Sequence, residues 1–179
     1  MSKAPKQPNI ECSGPSLNAD VTDLLDAMVV RGGLDLNTVK KERPLGLEKK
    51  DISWSYWCSD GRAVELATYW IQEGDEFRQY LVLEAALTKL TAHNGHSIME
   101  FLLSKSRSFP SIFKLGLADD VAVLTVRCPV NGLSHRYVRE VVEGFDGFGA
   151  TLLAEIRSHF GSMSLLECFR AEDEVSKIH

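Results

Sequence analysis

The chain has 179 residues, 44% of them apolar and 25% charged, with a net charge of −5. That suits one globular domain with a sizeable core. It disfavours nucleic acid and anionic membrane surfaces as partners, since both attract a cationic face, and no apolar run approaches the ~20 residues that span a bilayer.

Residues 1–15 are polar, carry Pro5, Pro8 and Pro15, and read as a flexible tail. The stretch lacks the apolar core of a secretory signal, which predicts a cytoplasmic protein. Residues 17–31 predict a first helix: Leu17, Val21, Leu24, Leu25, Met28 and Val29 recur at helical spacing. Gly32-Gly33 ends it. The connector 34–50 is rich in charge, and Lys40, Lys41, Arg43, Lys49 and Lys50 read as a solvated loop.

The period then changes to two. "DISWSYWC" places Ile52, Trp54, Tyr56 and Cys58 on one side and Ser53 and Ser55 on the other. Asp60-Gly61 and Gly74-Asp75 mark tight turns, so three strands form an antiparallel meander. A second helix is expected over 96–106, with Asn94 or Ser97 as cap; Ser97 and Glu100 fit a capping box. Phe113–Leu117 and Val121–Cys128 read as strands four and five, turning at Asp119-Asp120. A third helix is expected over 134–160, capped by Ser134 and interrupted in propensity by Gly144, Gly147 and Gly149, which mark close packing or a kink. A short helix and acidic tail follow over 162–179. The order is α-β-β-β-α-β-β-α. It predicts a single α+β domain over 16–161, with a five-stranded antiparallel sheet packed by helices.

Chemistry is sparse. His93 and His96 sit at a helix entrance, and the other histidines match no metal-ligand spacing. No nucleophile elbow, phosphate loop or dinucleotide fingerprint occurs. Cys58 and Cys128 fall in strands and read as unbridged apolar fillers. The expectation is therefore no catalytic residue, no metal and no cofactor.

Aromatics are the more suggestive feature. The predicted meander holds Trp54, Tyr56, Trp57, Tyr69, Trp70, Phe77 and Tyr80, of which we take Trp54, Tyr56, Tyr69, Trp70 and Tyr80 as candidate partner-binding residues. Its second and third strands are apolar at both parities, whereas a sheet with one wet face should be polar on one. Something should cover the second face: the tails, a second subunit or a client peptide.

The element order resembles that of class I type III secretion chaperones. The segments "SIMEFLLSKSRSF", "FKLGLADDVAVLTVRCPV" and "NGLSHRYVREVVEGFDGFGATLLAEI" are similar to the YbjN-domain family of bacterial sensory-transduction regulators. The likeness spans about residues 50–160. The N-terminal tail and basic connector depart from the pattern. The resemblance implies a small acidic protein, often dimeric, that binds polypeptide and catalyses nothing. The expected function is a chaperone-like adaptor for a polypeptide partner. The alternatives are a YbjN-type regulator without a secretion client, and an enzyme of unidentified class. A homodimer is expected, with Ile98, Met99 and Leu102 of the second helix and Phe113 and Leu115 of strand four as the candidate interface.

Overall fold

The computed structural model describes residues 17–46, 49–108, 110–162 and 166–168. The expectations for residues 1–15 and for most of 162–179 lie outside these residues.

Helix α1 spans Leu17–Arg31. Val21, Leu25 and Val29, one turn apart, are all buried. The helix closes at Gly33, whose φ of 81° is a left-handed conformation that a side chain disfavours; the Leu34 amide then donates back to the Val29 carbonyl at 3.3 Å.

The connector is more structured than its charge suggested. It holds a short helix α2, Leu36–Val39, capped by the Asp35 carboxylate on the Asn37 amide at 3.0 Å. Strand β1, Lys40–Pro44, follows. The sheet therefore has six strands, not five. "KKERP" has no apolar alternation, so period-two reading passes over it. Its register is held instead by charge: Arg43 bonds Asp51 at 2.5 Å and Lys50 bonds Glu42 at 2.8 Å. Lysines and a terminal proline suit an edge strand, because they discourage further pairing.

Strands β2 (Lys50–Trp57), β3 (Ala63–Glu73) and β4 (Glu76–Lys89) form the expected meander. Helix α3 runs Gly95–Ser106. Ser97 lies inside its first turn, so the expected capping box does not form. Asn94 is the cap residue but makes no side-chain cap bond; its Oδ1 accepts from the Thr91 amide and hydroxyl at 3.1 and 2.8 Å. Strands β5 (Phe113–Ala118) and β6 (Val121–Pro129) turn at Asp119, at φ 53°. Helix α4, His135–Phe160, begins where the Ser134 hydroxyl accepts from the Tyr137 amide at 3.2 Å.

The strand order is β1-β2-β3-β4-β6-β5, with every pairing antiparallel. This is an α+β domain. Buried residues of α1, α3 and α4 join Ile52, Trp54, Val64, Leu66, Leu81, Leu83, Leu124 and Val126 in one core cluster. Those strand residues share one parity across the register, so the three long helices lie on one face of the sheet.

Candidate interaction surface

Strand alternation sends the other parity to the opposite face. No described helix covers that face. Its rows follow from the register: Tyr69 opposite Tyr80; Ala67 opposite Val82, with Arg127 beyond; Glu65 opposite Glu84, with Thr125 beyond; and Ala63 opposite Ala86, with Val123 beyond. Trp57 of β2 opposes Ala63 and is 44% exposed.

Local bonds fix this surface. The Tyr69 hydroxyl donates to Glu65, and the Tyr80 hydroxyl donates to Glu73. The Arg127 guanidinium lies 4.6 Å from the centre of the Tyr80 ring, a cation–π contact. Burial first, then the Glu65 carboxylate, pushes the Tyr69 hydroxyl above its ordinary range. Burial first, then repulsion from Glu65, raises the Glu84 carboxyl. A depression of about 270 Å³ opens here, lined by Ser55, Trp57, Ala63, Glu65, Glu84 and Ala86 among others.

A second concavity, of about 410 Å³, lies on the helix side between the end of α1, α4 and the β2–β3 turn. Its polar end is a buried clamp. Arg62, 2% exposed, donates to Asp60 at 2.7 Å, to the Asp146 carboxylate at 2.8 Å and to the Asp146 carbonyl at 3.1 Å. Gly149 makes room for it: a Cβ there would stand 2.5 Å from Arg62 Nη1. The glycines of α4 therefore serve close packing at this point, and the helix continues unbroken. Burial pushes the Cys58 thiol up to about 11 and also raises the Tyr56 hydroxyl. A protonated thiol beside a carboxylate is poorly nucleophilic. This end of the groove is built to hold the hairpin on α4. Among the described residues, no three His, Cys, Asp or Glu side chains come together to hold a metal ion.

The five aromatics divide between the faces. Trp54 is wholly buried, and its indole N–H donates to Asp26 of α1 at 2.7 Å. Tyr56 lines the groove. Trp70 has the helix-side parity, with Lys49 Nζ 5.0 Å from its ring. Tyr69 and Tyr80 alone meet, as a cross-strand pair on the uncovered face. The candidate residues chosen from the sequence did not include Trp57, Glu65, Val82 or Glu84. Parity was the available signal for Trp57, since it shares the side of Ser53 and Ser55 and alternates with Trp54 and Tyr56. The glutamate pair had none, because it exists only through the β3–β4 register.

Of the residues expected at a dimer interface, Ile98 and Leu102 are buried within the chain's own core. Phe113 packs on Phe145 and Phe148 of α4, with ring centres 6.2 and 5.3 Å apart. Met99 and Leu115 are partly buried against the same core. The large apolar side chain that α3 turns outward is Leu103, 61% exposed. Cys58, Cys128 and Cys168 are not joined in disulfides, and Cys58 stands just past the end of β2 rather than within a strand; Cys12 lies outside the described residues.

No family model matches the sequence, and no curated protein matches it. Among solved structures, a chain in the crystal structure of the ExsC-ExsE complex is similar at 16% identity and a TM-score of 0.46, over 75% of this chain and 92% of that one. No helix among the described residues is long and apolar enough to cross a membrane.

Proposed function

We propose that this chain is a non-catalytic protein-binding module, a chaperone-like adaptor that holds a polypeptide segment against the uncovered face of its sheet. One observation carries the reading: a sheet with its long helices on one side presents, on the other, a surface of small and aromatic side chains with no described helix over it. Apolar surface of this kind is costly to leave in water, and a partner segment removes it. Tyr69, Tyr80 and Trp57 are well suited to such contact, since aromatic side chains bring large area at small entropic cost.

A photo-crosslinking pair tests this. A benzophenone amino acid replaces Val82 on the open face or, as control, exposed Arg139 on α4. In extract of the native cells, the Val82 position should label a discrete polypeptide that the Arg139 position does not. Equal labelling at both, or none at Val82, would sink the proposal.

A further inference from the structure

We infer that the depression beside Trp57 receives one lysine or arginine side chain of the bound polypeptide, with its cation between Glu65 and Glu84. The inference rests on the protein-binding reading and adds the chemistry of the bound residue.

The geometry starts from the register. Glu65 and Glu84 are directly opposed on neighbouring antiparallel strands. Side chains so placed stand about 5 Å apart at Cβ, and like charges there repel. Such a pair is ordinarily relieved by a cation nearby. Here neither carboxylate has an ion-pair partner among the described residues, although ion pairs recur elsewhere on this sheet, as between Arg43 and Asp51 and between Lys50 and Glu42. Of the cations on the same face, Arg43 is engaged with Asp51 and Arg127 lies on the Tyr80 ring, while exposed Lys41 and Lys114 form no ion pair with either glutamate. Tyr69 donates to one oxygen of Glu65 and so fixes that carboxylate in place. The proton affinity of Glu84 is raised by burial and by Glu65, as expected of a charge without a counter-charge.

The surroundings choose among cations. Ala63 and Ala86 form the row on one side of the glutamates and Ala67 and Val82 the row on the other, so the carboxylates stand in a shallow, largely apolar depression. Trp57 walls it. A methylene stem fits an alanine floor and an indole wall, and a charged head meets two carboxylates. A second copy stacked face to face about a twofold axis through this pair would bring four carboxylates together, an arrangement opposed by charge.

The test uses the full chain and two short probes. One is a doubly capped pentapeptide with a central lysine between leucines; the other is its norleucine twin, which keeps the stem and lacks the charge. Each is titrated against the ¹⁵N-labelled protein while the Trp57 indole N–H resonance is followed. The lysine peptide should bind about tenfold more tightly than its twin, an advantage that shrinks with added salt. The double variant Glu65→Gln, Glu84→Gln should remove the advantage while leaving the spectrum of the core unchanged. Equal binding of the two peptides at Trp57 would overturn the inference and leave polypeptide binding standing. No shift from either peptide, with Val82 crosslinking retained, would also overturn it. Shifts of Trp57 that follow protein concentration alone would overturn it in favour of a second copy on this face.

Discussion

Trp54 and Trp57 stand three residues apart on β2 and meet opposite environments. Trp54 is wholly enclosed under α1, its one polar atom bonded to Asp26; Trp57 is 44% exposed with no described helix above it. The same contrast runs across the sheet. The covered face carries Leu66, Leu81, Leu83, Leu124 and Val126, close-packed against three helices. The open face carries alanines, tyrosines, Trp57 and two unneutralised glutamates. One face spends its side chains on stability, and the other keeps chemistry that the fold itself does not use. An aromatic count alone cannot separate these roles; parity and cover do.

The contrast is sharpest in stability. Trp54→Ala should lower the unfolding free energy by about 3–5 kcal/mol, as for other large buried aromatics. Trp57→Ala should change it by less than about 1 kcal/mol. Urea unfolding followed by circular dichroism measures both, and equal costs would show that the second face is covered after all.

The Arg62 clamp belongs to the covered side and should come next. Arg62→Ala strands Asp60 and Asp146 and opens space beneath α4, for a loss of about 2–4 kcal/mol. Thermal unfolding detects it; a neutral variant would mean that the hairpin is held by its backbone bonds alone.

The covered face also has a flaw. Thr68 is wholly buried among apolar neighbours, and its hydroxyl finds no partner among the described residues. Thr68→Val is nearly isosteric and removes the orphan, so the chain should gain about 1 kcal/mol. A loss in the same unfolding assay would point to an ordered water at this site.

Glu84 gives the smallest effect and bears most directly on the open face. Its pKa is raised in the folded chain, so the folded state holds the proton more tightly than the unfolded state. Stability contributed by this group therefore rises as pH falls through the folded value toward the ordinary carboxylate range. At neutral pH Glu84→Gln should stabilise by about 0.5 kcal/mol, because it removes a like-charge cross-strand pair. The difference between wild type and variant should shrink on acidification. A pH series of urea midpoints reads that difference, and one that grows toward acid would contradict the raised pKa.

Much of the fold was legible because its signals are local. Glycine at Gly33 and Gly61, the Ser134 cap and the alternation in "DISWSYWC" each act within a few residues, so the meander and all three long helices could be placed. Strand β1 was not legible, because its pairing is written in charges whose partners, Asp51 and Lys50, are identifiable only once the strands are side by side. Ile98 and Leu102 looked like interface residues for a related reason: an apolar stripe on a helix does not say whether its own chain or another covers it.

By itself, the sequence determined the class of the molecule: an acidic α+β domain, the order of its three long helices and of five of its six strands, and its turns. Those follow from backbone preferences and side-chain periodicity, which act over one turn of helix or one pair of strand residues. Only the tertiary structure decided which face of the sheet the helices take, that Arg62 passes under Gly149, and that Glu65 stands opposite Glu84. These depend on register and packing between segments tens of residues apart, and no local preference encodes them.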